Sequence, residues 1–282
     1  MHKVQRISSL RAAVSSARKE KKTIAFVPTM GNLHQGHLEL VKVAKQQADL
    51  VVVSIYVNPT QFGASEDLSS YPSTPEEDAR LLAEVGADLL FLPSQETMYP
   101  GELEKQTVVY VPEMGDRYCG QDRPEHFYGV TTVVSRLFNM VQPDVAVFGK
   151  KDYQQLAIIR RIVKDLAFPV EVVGVNTIRS NEGLALSSRN GYLTKEELDI
   201  APKLQEGLQI LADGLRNNKA IEQLEKEAQQ TLLEVGFQPH YLTVCRQSDL
   251  MPAEQGDTEL VILAAAQLGK ARLIDNLEVI LD

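Results

Sequence analysis

Short apolar runs that recur between helical patterns constrain this chain more than any other feature. Residues 23–29 (TIAFVPT), 49–57 (DLVVVSIYV), 88–92 (DLLFL), 144–149 (DVAVFG) and 170–175 (VEVVGV) are of strand length and lack the polar alternation of a one-sided sheet. Such strands are buried on both faces, as in a parallel sheet. Between them, 38–48, 75–86, 130–141 and 153–167 carry apolar residues at helical spacing, and Leu156, Ile159, Ile162, Val163 and Leu166 make one stripe in the last. Strand–helix alternation needs crossovers, so the expected fold class is α/β, a doubly wound, Rossmann-like parallel sheet.

After about residue 176 the texture changes. The stretch 195–235 is rich in Glu, Lys, Gln and Leu with no strand pattern, and 240–246 and 259–266 read as strands of a smaller α+β C-terminal domain. A boundary near 176–190 gives two domains, 1–176 and 177–282, which suits a chain of 282 residues. The Pro- and Gly-containing stretches 58–75 and 93–130 read as active-site loops rather than linkers.

The net charge of −9 argues against a protein that coats nucleic acid, which needs clustered cations to displace counterions. A few local cations can still bind a small anion. Cys119 and Cys245 stand far apart and outside any CxxC spacing, so neither a disulfide framework nor a zinc site is indicated. The amino-terminal MHKVQRISSLRAAVSSARKEKK lacks the apolar core of a signal peptide, and no 18-residue apolar run follows. A cytoplasmic protein without membrane attachment is expected.

The strongest chemical signal lies where the first strand gives way to the first helix, at Pro28-Thr29-Met30-Gly31-Asn32-Leu33-His34-Gln35-Gly36-His37. Ligands of an open parallel sheet sit beyond the carboxyl ends of its strands, where a helix N-terminus offers N–H groups to phosphate. Gly31 and Gly36 permit close backbone approach, and His34 and His37 share one side of the first turn. Taken alone, HxGH suits two capping histidines equally well. GxGxxG and GxxxxGK[ST] are absent here, which disfavours a dinucleotide dehydrogenase and a P-loop kinase.

Leu186-Ser187-Ser188-Arg189-Asn190 is a second constellation, with two hydroxyls and a permanent cation suited to phosphate oxygens. Lys151, in Phe148-Gly149-Lys150-Lys151-Asp152, follows a strand at the sheet's ligand edge, and Arg123 and His126 border the same edge. Gln61 and Gln155 carry amides that both donate and accept, apt for a hydroxy acid, and Asn58 opens the loop after the second strand. The run Glu76-Glu77-Asp78 could lend a carboxylate to a metal, though acidic residues in a first helical turn also answer the macrodipole.

HxGH followed at a distance by a Ser-Ser-Arg loop resembles the paired signatures of the HIGH-type nucleotidyltransferase superfamily. PTMGNLHQGH, VSIYVNPTQF, RPEHFYGV at 123–130, FGKKDYQQL, LSSRNGYL and ARLIDN are, in that order, similar to blocks of the pantothenate synthetase family over nearly the whole chain. Lys150 stands where that family often has an acidic residue, and Glu125 where a small one is common.

The resemblance implies an ATP-dependent ligase: pantoate and ATP give pantoyl-adenylate and pyrophosphate, and β-alanine then yields pantothenate and AMP. It implies that Met30, Gly31, Asn32, Leu33, His34, Gln35, Gly36 and His37 line the ATP site, with both histidines facing the phosphates. Gly149, Lys150, Lys151, Asp152, Ile178, Leu186, Ser187, Ser188 and Arg189 would hold adenine, ribose and phosphates. Gln61 and Gln155 would hold pantoate; Asn58 and Arg123 are added as substrate-binding candidates from their own positions, at the loop after the second strand and at the ligand edge. His34, His37, Lys151 and Arg189, with Mg²⁺, would neutralise charge moving onto the leaving pyrophosphate. No protein ligand is assigned to the metal. A homodimer is implied. The domain reading adds that the C-terminal segment moves as a lid, since closure would exclude water from a hydrolysable adenylate. The alternatives are a nucleotidyltransferase acting on another small substrate, and a nucleotide-binding module without turnover.

Overall fold

The computed structural model describes residues 1–63 and 66–281. Ala64 and Ser65, within the expected 58–75 loop, lie outside the described residues. The chain forms two compact units, one of Met1–Lys150 with Gln155–Asn176, the other of Lys151–Gln154 with Thr177–Asp282.

In chain order the first unit contains β1 (His2–Val4), α1 (Ile7–Lys19), β2 (Ile24–Thr29), α2 (Gln35–Gln47), β3 (Leu50–Ile55), α3 (Pro75–Glu84) and β4 (Leu89–Phe91). The short helices α4 (Gln95–Met98) and α5 (Cys119–Asp122) precede α6 (His126–Val141) and β5 (Val145–Gly149). Next come α7 (Tyr153–Asp165), which starts within the Lys151–Gln154 segment, and β6 (Glu171–Val175). The strands form a six-stranded parallel sheet in the order β1-β4-β3-β2-β5-β6.

Central β2 shows why the apolar runs become strands: Ile24, Ala25, Phe26 and Val27 are all fully buried. Successive side chains point to opposite faces, so such a run needs helices on both sides. Ala25 and Val27 pack with Val51, Val53 and Leu90 against Val41 and Ala44 of α2 and Leu82 of α3. On the other face Phe26 and Phe148 both meet the edge of Phe138 of α6, with ring centroids 6.4 Å apart in each case.

Strand order reverses at β2. The chain leaves β2 for β3 and β4 on one side, and β5 returns to pair with β2 on the other. The carboxyl ends of β2 and β5 thus form the switch point at which open α/β sheets bind ligands.

Three features depart from the sequence expectation. The amino-terminal segment forms β1, paired with β4, and α1, whose Leu10, Val14 and Ala17 are buried. Helix α6 starts at His126, within the stretch expected to be loop, because Glu125 at φ 71° turns the chain directly into it. The second unit gains a third strand.

That unit contains α8 (Lys195–Ile200), α9 (Lys203–Arg216), α10 (Ile221–Glu234) and the strands β7 (Gln238–Arg246), β8 (Glu259–Leu268) and β9 (Ala271–Ile280). The strands make an antiparallel sheet in the order β7-β8-β9. Helix α8 opens with a capping box, in which Thr194 and Glu197 each accept the other's backbone N–H. The apolar stripe of α9 (Leu204, Leu208, Leu211, Leu215) packs with Leu232, Phe237, Ile262 and Val279 into a separate core.

Candidate active site

The loop from β2 into α2 is held by a buried carboxylate. Gly31 at φ 87° and Asn32 at φ 50° adopt left-handed conformations in succession, and only glycine takes the first without strain. The resulting turn aims the N–H groups of Asn32 and Leu33 at Asp78, whose two oxygens accept them at 2.9 and 2.8 Å. Thr74 donates its hydroxyl to the same carboxylate at 3.0 Å. Asp78 is 1% exposed, so these charge-assisted bonds are not diluted by water. A side chain at Gly31 would be strained by this φ and crowded as well, since a Cβ would sit 3.0 Å from Asp78 Oδ2.

Both histidines are capping groups as well as candidate ligands. His34 is the N-cap of α2, and its Nδ1 accepts the Gly36 N–H at 3.1 Å. His37 Nδ1 accepts the His34 N–H at 3.3 Å, and the two rings lie 4.1 Å apart. A nitrogen that accepts carries no proton, so each neutral imidazole holds its hydrogen on Nε2. Two N–H donors are therefore oriented at the positive end of a helix, an arrangement suited to phosphate oxygens.

Gln61 is buried beside this loop. Its Nε2 donates to Met30 Sδ at 3.0 Å, and its Oε1 accepts from Asn58 Nδ2 at 3.2 Å. Asn58 in turn donates to the Gly129 carbonyl at 3.1 Å and accepts from the Thr60 and Tyr99 hydroxyls, both at 3.0 Å. All four hydrogen-bonding positions of that amide are thereby engaged, so Asn58 orients Gln61.

Arg123 supports the same residue. It binds Glu66 through two nitrogens at 2.7 and 2.5 Å and reaches the Gln61 carbonyl at 3.3 Å. His126 Nδ1 donates to that carbonyl at 2.8 Å, which fixes the opposite tautomer from His34 and His37 and lets its Nε2 accept from Arg123 at 3.1 Å. Gly129 of α6 packs directly on the turn, where a Cβ would lie 2.3 Å from the Thr60 carbonyl oxygen and 2.5 Å from Gln61 N. The first unit thus brings together Met30, Asn58, Gln61, Arg123 and His126. Gln155 sits half-buried in α7.

Gly149 and Lys150 close the first unit's strand β5 and the turn after it, and the remaining candidates belong to the second unit. Residues 178–186 form a hairpin: Leu186 N–H bonds the Ile178 carbonyl at 2.9 Å, and Arg179 bridges Ala185. Ser187 then caps a short turn by accepting the Arg189 N–H at 3.2 Å, and Asn190 donates to the Ala185 carbonyl at 3.1 Å. Ile178, Leu186, Ser187, Ser188 and Arg189 are therefore one connected piece. Lys151 Nζ lies 3.9 Å from the Asp152 carboxylate, at the outer limit of an ion pair.

Sequence reasoning missed Asp78 as a structural anchor, along with Tyr99 and Gly129. For Asp78 a signal existed: it stands four residues before Leu82, on the apolar stripe of α3, where an acidic residue needs buried partners.

Among the described residues no group of three or more His, Cys, Asp or Glu could hold a metal ion. Glu77 pairs with Arg80, and Asp78 is committed to the loop.

A sequence model of the family described as Pantoate-beta-alanine ligase matches residues 2–278. The pantothenate synthetase of Shewanella sp. (strain ANA-3) is 55% identical over 271 residues, 96% of each chain. The crystal structure of pantothenate synthetase from Thermus thermophilus superposes with a TM-score of 0.93 at 44% identity, covering 99% of this chain and 100% of that one. The pantoate-beta-alanine ligase of Francisella tularensis, complexed with β-γ ATP and β-alanine, gives a TM-score of 0.83 at 34% identity, over 99% of this chain and 97% of that one. With its whole length matched in this way, on a fold that carries its six sequence blocks in order, the chain belongs to the pantoate–β-alanine ligase family.

Proposed function

We propose that this ligase joins pantoate to β-alanine through a pantoyl-adenylate. A pantoate carboxylate oxygen attacks the α-phosphorus of ATP, and pyrophosphate leaves. The β-alanine nitrogen then attacks the acyl carbon, loses a proton, and AMP departs with the attacking oxygen. The observation that carries this reading is the pair of imidazoles whose Nδ1 atoms are committed to the α2 cap, which makes Nε2 the donor of each ring.

In this reading His34 and His37 donate to phosphate oxygens whose charge grows as pyrophosphate leaves, while Lys151 and Arg189 supply positive charge. Ser187 and Ser188 add hydroxyl donors. The backbone around Gly149, Lys150, Asp152, Ile178 and Leu186 receives the nucleoside. Gln61 and Gln155 hold pantoate, and Asn58 and Arg123 keep Gln61 in register. Carried on ATP, Mg²⁺ would supply charge neutralisation at the phosphate oxygens. The donor set suits an ion carried by the nucleotide rather than a resident one, since Glu77 and Asp78 already have partners.

The reading extends to a cytoplasmic homodimer whose residues 177–282 act as a lid. Cys119 and Cys245 are buried and not joined in a disulfide, which suits a reducing compartment. No described helix is long and apolar enough to cross a membrane. Hydrogen exchange at 183–192 is expected to slow when ATP and pantoate are added together, and unchanged exchange there would argue for a rigid site.

Isotope exchange tests the chemistry. With ATP, Mg²⁺ and pantoate but no amine, labelled pyrophosphate should enter ATP. With a labelled pantoate carboxylate and β-alanine, one labelled oxygen should appear in AMP. ADP as product, or AMP without label, would sink the adenylate route. A nucleotidyltransferase acting on another substrate would yield no pantothenate.

A further inference from the structure

The closing block ARLIDN has no role in the chemistry above, yet its last two residues are buried polar groups in the middle of β9. Asp275 is 4% exposed and Asn276 is 7% exposed, between the apolar Leu273 and Val279. Polar side chains inside a strand cost stability unless they are paired. Both are paired, and their partners lie in the two nucleotide-handling segments of the second unit.

Asp275 takes the guanidinium of Arg179 on both oxygens, at 2.5 and 2.8 Å. The same guanidinium donates to the Gly183 carbonyl at 3.1 Å, so it ties the base and the tip of the 178–186 hairpin together. That hairpin delivers Ser187, Ser188 and Arg189. Asn276 donates its amide to the carbonyl of Lys151 at 2.9 Å. Neighbours in a strand face opposite sides, so one dipeptide reaches two segments that are far apart in sequence. Both are also fixed in register, Asp275 opposite Ala264 and Asn276 opposite Leu263 of β8.

We infer that Asp275 and Asn276 are the positioning pair for adenylation: Asp275 sets the Ser187–Arg189 turn through Arg179, and Asn276 sets Lys151 through its carbonyl. Both act through a neighbour, Asp275 through Arg179 and Asn276 through the Lys151 backbone. The inference rests on the reading that Lys151 and Arg189 act on the phosphates.

Pyrophosphate exchange into ATP, measured with pantoate and no amine, separates the two. Asn276→Ala and Asp275→Asn should each reduce exchange about ten- to a hundredfold, the scale of a small misplacement of reacting groups. The loss should appear against ATP, with the pantoate KM unchanged. In a Lys151→Ala background, Asn276→Ala should cost less than about twofold more, whereas Asp275→Asn should keep its full effect. An Arg189→Ala background should invert that pattern. If Lys151→Ala and Arg189→Ala exchange at the wild-type rate, the functional reading fails. If those two are impaired but Asn276→Ala and Asp275→Asn are not, or if all losses multiply in both backgrounds, the positioning pair is overturned. Should Asp275→Asn not fold because it strands a buried guanidinium, Arg179→Gln with Asp275→Asn removes the same clamp without an unpaired charge.

Discussion

The imidazole of His37 turns back on the backbone N–H of His34 at 3.3 Å, so a histidine stands where capping boxes ordinarily have Glu or Gln. In the proposed reading, capping and phosphate binding fall on one ring, through different nitrogens. His37→Gln separates them, because glutamine can close the same box without supplying an imidazole Nε2. We expect kcat to fall about ten- to a thousandfold in both His37→Gln and His37→Ala. The melting temperature should stay near wild type in His37→Gln and fall in His37→Ala, by the equivalent of about 1 kcal/mol. Wild-type turnover in His37→Gln would remove the ring from the chemistry.

Asp78 should behave as a structural residue with a kinetic signature. Asp78→Ala leaves the N–H groups of Asn32 and Leu33 without their acceptor, at a cost of about 2–4 kcal/mol. Asp78→Asn retains one acceptor oxygen and should lose about half as much. In denaturant titrations the order should be wild type, Asn, Ala. ATP KM should rise in the same order, because the loop that Asp78 holds is the one assigned to the nucleotide. Equal stability of all three proteins would dissociate Asp78 from the loop.

For pantoate, the expectations for Gln61 and Asn58 differ in kind. Gln61→Ala removes the proposed contact and should raise the pantoate KM while leaving ATP binding nearly unchanged, with a stability loss limited to its one bond to Asn58 and its weak contact with Met30 Sδ. Asn58→Ala should raise the same KM but also lower stability, because the Gly129 carbonyl and the Tyr99 hydroxyl lose their buried partner. Calorimetry beside steady-state kinetics distinguishes the two. An Asn58→Ala protein as stable as wild type would argue that Asn58 meets the substrate instead.

Two neighbouring tyrosines predict an alkaline limb. Burial raises the phenol pKa of Tyr56 and of Tyr99 above the ordinary 10.0. A raised folded-state value means stability is fully present below the unfolded pKa and lost as pH climbs from there toward the folded value. Thermal melts should thus fall steeply above about pH 10. The Tyr56 hydroxyl has no hydrogen-bond partner among the described residues, so Tyr56→Phe should hold or raise stability at neutral pH and flatten the alkaline limb. Tyr99→Phe should lose about 1 kcal/mol at neutral pH, since its hydroxyl donates to Asn58. The opposite ranking would overturn this account.

What could be read from the sequence follows from how locally each element is determined. Ile24 to Val27 and Val51 to Val53 declare strands buried on both faces, because every residue in the run is apolar. Strand β1 spans only His2–Val4 and buries one residue, too little for any pattern. Strand β9 was hidden for the opposite reason: Asp275 and Asn276 interrupt its apolar alternation, and the partners that justify them, Arg179 and Lys151, lie about a hundred residues away. The same applies to the site. HxGH, SSRN and GKKD announce themselves by residue type. The support given by Asp78, Tyr99 and Gly129 exists only once distant segments meet.

Gly129 has a consequence for how such a site tolerates change. Its contact with Thr60 and Gln61 is main chain against main chain, so there is no flexible side chain to give way. In a library of every single substitution, selected for growth without supplied pantothenate, neighbouring positions can trade one side chain for another by repacking. Position 129 has no such route, and even alanine must displace the turn that carries Gln61. The site's shape is thus protected at this point by the lack of an atom, and mutational drift has only one direction in which to break it.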